Sequence, residues 1–439
     1  MKLRFPHPLV LLLGGVVVCT LLTWVLPAGE YQRRQDAELG REVVVAGTYA
    51  PVEAAPVGLM GMLLSVPRGI SAGVDVILTI LFVGGAFVLL DGTGALARLV
   101  RTAAGQNQRP RIAVAVACIV FAGFGAIENM HEEFIALMPV LVLFSRTLGF
   151  GAITAVAMSA GAAMVGAAFG PTNPFGAGIA FRFAGLPALS EGKTRMALFA
   201  LALAVWIAFT LWYTPRDDVR SEVVAHASEG ATSRDFVLLA ICVLPILIYV
   251  AGVLRLDWGF NELTALFLVA GFAVGLTAGY GAHRTATEFL KGMESMVAAG
   301  LFVGVARAMS VVLSDGRVLD TIVAGIVAPL SEIPALAAAV LMIPAQALIH
   351  VVVTSNSGHA VLTMPIMAPS ADLLGFSRDA AVMAYQAGGP PMDIIIPTNG
   401  ALFAMLLRAG VPYERWLRFA VPAVLLMMLV GVVGVVMLR

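Results

Sequence analysis

Pro171-Thr172-Asn173-Pro174 sits inside an apolar run from 150 to 187, and Pro397-Thr398-Asn399-Gly400 sits inside another from 375 to 407. Each places an amide, a hydroxyl and helix-breaking residues where the surrounding sequence is apolar enough to cross a bilayer. Proline lacks the N–H that a helix interior needs and its ring clashes with the preceding turn, so both runs read as helices broken at mid-span. Broken backbone in hydrocarbon costs several kcal/mol per unsatisfied peptide group unless it is buried or lines a cavity. The freed carbonyls and N–H groups, with the side chains of Thr172, Asn173, Thr398 and Asn399, suit a dehydrated cation or a substrate carboxylate. The competing reading is a kink kept only for packing.

The two breaks lie 226 residues apart, and other matches share that offset: Met138-Pro139 with Met364-Pro365, and Leu148-Gly149-Phe150 with Leu374-Gly375-Phe376. Phe82-Val83-Gly84 recurs as Phe302-Val303-Gly304, and Asp91-Gly92 as Asp315-Gly316, in the same order and hydropathy context. Colinear matches at nearly one spacing read as an internal duplication.

Composition sets the surroundings. Of 439 residues, 60% are hydrophobic and 12% charged, against about 25% charged in an average soluble domain. Lys plus Arg and Asp plus Glu number 27 each, with no basic tail or stripe, which sets nucleic-acid binding aside. Cys19, Cys118 and Cys242 are scattered through apolar stretches and read as small core residues. A membrane helix needs about 20 apolar residues. By that rule, spans are expected near 8–27, 72–97, 150–187, 196–213, 234–253, 262–281, 292–313, 375–407 and 413–438. Two further apolar stretches, 111–148 and 332–373, are each interrupted by polar residues at the middle and read as re-entrant hairpins. Basic residues favour the side holding Lys2, Arg4, Arg98, Arg101, Arg109 and Arg111, fifteen against ten, which puts the N-terminus inside.

The fold expected is therefore an all-α polytopic membrane protein of two inverted repeats, each with a re-entrant hairpin and a broken transmembrane helix. The first repeat with its N-terminal span is 1–213, a cytoplasmic linker is 214–235, and the second repeat is 236–439. Counting spans, 72–97 runs inward and its counterpart 292–313 outward, so the hairpins enter from opposite sides and their tips meet near the midplane. That architecture recurs in secondary transporters, where two packings of related halves supply two access states.

The tips carry different chemistry. Thr354-Ser355-Asn356-Ser357-Gly358-His359 offers uncharged oxygen and hydrogen-bonding groups suited to Na+ or a polar substrate. The first tip packs Glu128, Asn129, His131, Glu132 and Glu133 into six residues. Carboxylates at such depth are expensive and mark function by default, whether they hold a cationic substrate such as arginine or ornithine, relay protons or bind a metal ion. Arg307, inside an apolar run, is the candidate anion anchor, and Asp393, four residues before Pro397, is placed to support a cation site. His350 reads as a packed hairpin histidine. His131-Glu132 lacks the second histidine of a zinc-protease motif, since Ile135 stands there, and no hydrolase geometry is suggested, so the chain is not read as an enzyme. Gly166-x-x-x-Gly170, in a run of small residues, permits close helix contact.

Ile80-Leu81-Phe82-Val83-Gly84-Gly85-Ala86, Met130-His131-Glu132-Glu133, Thr363-Met364-Pro365-Ile366-Met367-Ala368-Pro369 and Gly410-Val411-Pro412-Tyr413-Glu414-Arg415-Trp416 resemble YfcC-type members of the anaerobic dicarboxylate carrier (DcuC) family. The resemblance spans nearly the whole chain. It implies the ion transporter superfamily, a homodimer with scaffold and mobile transport domains, and an elevator mechanism. In related carriers Ser-Asn-Thr tips join the broken helices to bind sodium and a substrate carboxylate. Ser355-Asn356-Ser357 matches one such tip approximately, whereas Glu128-Asn129-Met130 departs from it.

The expected function is secondary active transport of an amino acid or small organic acid across the cytoplasmic (inner) membrane, coupled to Na+ or H+ or by exchange. No resident cofactor is called for, and the partners are a small-molecule substrate, the lipid bilayer and a second copy of the chain. Glu132, Glu133, Asn173, Arg307, Ser355, Asn356, Ser357 and Asn399 are the candidate substrate contacts. Glu128, Asn129, Thr172, Asn173, Ser355, Asn356, Asp393, Thr398 and Asn399 are the candidate coupling-ion residues. The pairing of carboxylates with Arg307 favours an amino acid. The alternatives are a C4-dicarboxylate or short-chain fatty acid carrier and, with no selectivity filter in its favour, an ion channel.

Overall fold

The computed structural model describes residues 6–36, 41–45, 47–96, 98–99, 102, 109–214, 230–256 and 258–439. Most of the proposed linker therefore lies outside the described residues. The rest is an all-helical membrane body with one short polar excursion in strands, and nine helices among the described residues are long and apolar enough to cross a bilayer. Their outward faces are apolar, as with Val17, Val18 and Leu21 on Pro8–Val25 and Val116, Ile119 and Val120 on Pro110–Glu128. A hydrocarbon solvent accepts such faces where water does not.

The hairpin segments are helix, tip, helix. Pro110–Glu128 and Phe134–Thr147 flank the first tip, and Ala335–Val352 and Asn356–Leu374 flank the second. In both, the first arm meets the length and apolarity of a full span. The expected spans with internal breaks separate into shorter pieces. Ala152–Val156, a π-helical turn Ala157–Gly161 and Ala162–Phe169 precede the first break, and Arg378–Gly388 with the 3-10 turn Pro390–Ile394 precede the second. Across the π turn Ala162 N–H donates to Ala157 O, which also accepts from Trp206 Nε1 at 2.9 Å.

Local geometry follows the 226-residue offset. Gly149 and Gly375 close the second hairpin arms at φ 84° and 79°, with Phe150 N–H donating to Ser145 O at 2.9 Å and Phe376 N–H to Ala371 O at 3.1 Å. A side chain at those φ values would be strained, which is why glycine stands at both. Leu186 N–H to Phe181 O and Val411 N–H to Leu406 O, both 2.9 Å, repeat the correspondence after the breaks.

Two contacts position the site. The helix Pro110–Glu128 meets Ala162–Phe169 backbone to backbone, because a Cβ on Gly125 would stand 1.9 Å from Ala163 O and one on Gly166 2.0 Å from Ala122 O. The small-residue run expected to allow close approach does so, and it brings the first tip against the first break. Gly166→Leu is expected to force these helices apart and lower the unfolding temperature, as measured by thermal denaturation in detergent, whereas Gly123→Leu, where an added Cβ meets open space, should leave it near wild type.

The second contact is Arg195, 1% exposed, on the helix Gly192–Tyr213. Its guanidinium pairs with Asp379 Oδ1 at 3.0 Å and donates to Gln386 Oε1 at 2.5 Å, Asp379 O at 2.9 Å and Ser190 O at 3.0 Å, over the ring of Phe181. Gln386 Nε2 in turn donates to Ala168 O at 3.0 Å. This network fastens Arg378–Gly388, from the second half of the chain, to the helix that leads into the first break.

The polar segment after the first helix carries an antiparallel pair, Arg33–Asp36 with Arg41–Val44. Buried Asp320 anchors it, accepting from Tyr31 N–H and from Arg33 Nη2, each at 2.9 Å. The helix Leu59–Ala72 was not anticipated: with 14 residues and Pro67 inside, it falls below the length that marks a span.

Candidate functional site

Asn129 stands where four elements converge. It caps the first arm of the first hairpin in the left-handed conformation (φ 57°), which asparagine tolerates better than most residues, and His131 Nδ1 lies 2.7 Å from its carbonyl across the tip. Its side-chain Oδ1 accepts from Asn173 Nδ2 at 3.2 Å and from Asn356 Nδ2 at 3.1 Å. One oxygen thus joins the first tip, the first break and the second tip. The two tips meet, as expected.

The breaks are built alike. Asn173 caps the turn Pro174–Gly178 by accepting from Phe175 and Gly176 N–H at 2.9 and 3.1 Å, and its Nδ2 donates to Ala167 O at 2.9 Å. Asn399 caps Gly400–Ala409 through Leu402 N–H at 3.0 Å, and its Nδ2 donates to Asp393 Oδ1 at 2.8 Å. Thr172 Oγ1 donates to Ala126 O and Thr398 Oγ1 to Val351 O, both at 2.9 Å. Each threonine satisfies a carbonyl left open at the end of a hairpin's first arm.

A cavity of about 590 Å³ opens between these elements, within the range typical of small-molecule sites. Asn129, Glu132, Glu133, Arg307, Ser355, Asn356, Ser357, Asp393 and Asn399 line it, with Tyr249, Trp258 and Phe175 as aromatic walls. Glu133 Oε2 and Asn356 Oδ1 are buried acceptors with no hydrogen-bond donor among the described residues. The stem of Arg307 packs over Gly73, where a Cβ would stand 3.0 Å from its Cδ, and its Nη1 donates to Ala72 O at 3.0 Å. Among the described residues no carboxylate lies within ion-pair distance of this guanidinium. Arg68, also on the wall, is instead ion-paired with Asp315, Nη2 to Oδ1 at 3.0 Å.

Of the residues singled out from sequence, Thr172, Asn173 and Thr398 stand behind the cavity as ties and caps rather than on its wall. The side chain of Glu128 lies outside the described residues. The oxygens of Asn173 and Asn399 are engaged by backbone N–H groups, and Ser355 Oγ accepts from Gly358 N–H at 3.2 Å. These bonds engage the side-chain oxygens of Asn173, Asn399 and Ser355, while Asn356 Oδ1 has no donor among the described residues.

Sequence reasoning named His350 and His359 separately but did not pair them behind Asp393. His350 and His359 are nine residues apart, one on each arm of the second hairpin, and the turn between the arms brings their Nδ1 atoms to 2.8 Å. A histidine on either side of a predicted hairpin tip was the available signal. The ion pair Arg68–Asp315 went unread because Arg68 belongs to the helix that was itself overlooked.

The family model described as "C4-dicarboxylate anaerobic carrier" (DcuC) matches residues 5–439. A Haemophilus influenzae protein described as an uncharacterized protein is 27% identical over 493 residues, covering 98% of this chain and 96% of that protein. The Escherichia coli "putative basic amino acid antiporter YfcC" is 28% identical over 468 residues, covering 94% and 92%. Among solved structures, the Alcanivorax borkumensis YdaH transporter superposes with a TM-score of 0.44 at 16% identity, covering 98% of each chain. Neisseria gonorrhoeae MtrF, whose structure is described as illuminating a class of antimetabolite efflux pumps, gives 0.46 at 15% identity, covering 98% of this chain and 95% of that one.

Proposed function

Because the chain belongs to the C4-dicarboxylate anaerobic carrier (DcuC) family of membrane transporters, we propose that it is a secondary active carrier whose substrate is a basic amino acid bound between the two hairpin tips. The observation that carries this reading is the wall of the cavity, where Arg307, Glu132 and Glu133 line one space. An α-carboxylate pairs with Arg307 through parallel N–H donors, and a cationic side chain neutralises the glutamates, of which Glu133 is buried at a cost otherwise unmet. The name given to the Escherichia coli relative, a putative basic amino acid antiporter, points the same way.

A C4-dicarboxylate, the substrate in the family's description, would bring two negative charges beside Glu132, Glu133 and Asp393, with Arg307 alone to receive them while Arg68 stays paired with Asp315. Like charges in a poorly solvated site repel strongly, so this substrate is disfavoured. In the proposed carrier, 1–213 and 236–439 are inverted repeats with re-entrant hairpins. The N-terminus lies on the cytoplasmic side of the inner membrane, and a homodimer moves the tips and breaks as a transport domain. Coupling is to Na+ or H+ or by exchange.

A ligand that binds only the folded state raises its melting temperature. Arginine or ornithine is expected to stabilise the purified protein while fumarate and short-chain fatty acids do not, with Arg307→Ala and Glu133→Gln each removing the shift. Stabilisation by fumarate that survives Glu133→Gln would refute the assignment.

A further inference from the structure

Behind Asp393 runs a buried chain of polar groups that the binding of a basic amino acid does not use. His359 Nε2 lies 2.6 Å from Gln346 Oε1, His359 Nδ1 lies 2.8 Å from His350 Nδ1, and His350 Nε2 lies 3.1 Å from Asp393 Oδ1. Gln346, His350 and His359 are fully buried, and Asp393 reaches the cavity wall beside Asn399. The last contact is short in distance but off-line in angle, so His350 Nε2 makes no hydrogen bond and Gln346 Nε2 makes none either.

The proton count follows from these contacts. A neutral imidazole donates from one nitrogen and accepts at the other. With Gln346 Oε1 accepting, His359 carries its proton on Nε2 and must accept at Nδ1. His350 then donates from Nδ1 and turns a bare Nε2 toward the carboxylate. Lone pair against lone pair is repulsive, so this arrangement requires a third proton, on His350 or on Asp393, and the group is neutral overall. If the amide of Gln346 turns over, every bond in the chain reverses. Gln346 Nε2 donates to His359 Nε2, His359 Nδ1 donates to His350 Nδ1, and His350 Nε2 donates to Asp393. Two protons now suffice and the group carries one negative charge.

We propose that His350, His359 and Asp393 form a proton-binding site that exchanges one proton with the cavity through Asp393. The inference rests on the carrier reading for its meaning. Releasing the proton leaves a carboxylate at the wall where a cationic substrate binds, and taking it up cancels that charge, so proton and cation displace one another.

On the cavity side Asp393 shares the wall with Arg307, Glu132 and Glu133. Tyr385 stands edge-on to His359 with its hydroxyl donating to Asn356 O at 2.8 Å, and Tyr413 donates to Ile395 O at 2.6 Å. The helix Ala162–Phe169, packed on the turn that bears Asp393, has no ionisable residue. On the other packed elements Asp320 pairs with Arg33, Asp372 with Arg378 and Asp379 with Arg195. Glu332, Glu414, Arg415 and Arg418 sit at helix ends, and Arg182 and Glu42 belong to the segments 179–183 and 41–44.

Nitrogen-15 NMR of the histidine side chains in the purified, substrate-free protein tests this, with His350→Gln and His359→Gln assigning the signals. His359 is expected to switch its proton from Nε2 to Nδ1 as pH rises, at the same midpoint at which His350 changes, although His359 itself stays neutral. Asp393→Asn should abolish the switch, and His350→Gln should abolish it for His359 if the first variant does not fold. A His359 ring that keeps one tautomer at every pH, or a switch that survives Asp393→Asn, would overturn the proposal. Since no amino acid is present, such a failure leaves the carrier reading intact, and a failure to bind arginine leaves the tautomer switch intact.

Discussion

Asn129→Ala is expected to lower transport by about 5- to 100-fold in proteoliposomes while the protein still purifies as a folded species. The substitution removes the one oxygen that receives both Asn173 Nδ2 and Asn356 Nδ2. A buried donor left without an acceptor costs about 1–3 kcal/mol, and every 1.4 kcal/mol is about tenfold in a population. Asn173 retains Ala167 O, so the larger deficit falls on Asn356 and hence on the contact between the tips. Asn129→Asp, which keeps an acceptor at that place, should recover much of the activity. Equal losses in both variants would mean that the shared hydrogen bond is not what joins the tips.

Arg195→Ala is expected to cost about 3 kcal/mol of stability, the low end for breaking a buried ion pair, because Asp379 is only partly buried and keeps the donor Ser190 Oγ at 3.0 Å. Asp379 loses its guanidinium, and Gln386, Ser190 O and Asp379 O lose a donor. Arg195→Lys should rescue little, because one ammonium on a flexible stem cannot serve acceptors spread around a planar fork. Unfolding of the detergent-solubilised variants by heat checks both. A melting temperature for Arg195→Ala near wild type would show that the two halves of the chain are held together elsewhere.

The breaks and tips were legible because they violate a local rule. Proline, asparagine and threonine together are unusual inside an apolar run, and the 226-residue offset shows the pattern made twice. The two polar tips were expected to approach one another, and Asn356 on the second donates to Asn129 on the first. What stayed hidden depends on atoms rather than composition. Thr172 and Thr398 offered hydroxyls for a cation, yet each is taken by a carbonyl at the end of a helix, a demand that appears only once the helix ends are placed. His350 looked like a packed residue because its partner arrives from the other arm of the hairpin. Leu59–Ala72 was overlooked because a 14-residue helix containing proline is indistinguishable by hydropathy from a loop lying on the membrane.

Counterflow tests the central claim most directly. Proteoliposomes loaded with unlabelled arginine and diluted into a trace of labelled arginine should accumulate label transiently, and Arg307→Ala should abolish the overshoot. Accumulation of labelled fumarate against internal fumarate, with no overshoot for arginine or ornithine, would contradict the assignment of Arg307 and the first-tip glutamates to the two ends of a basic amino acid.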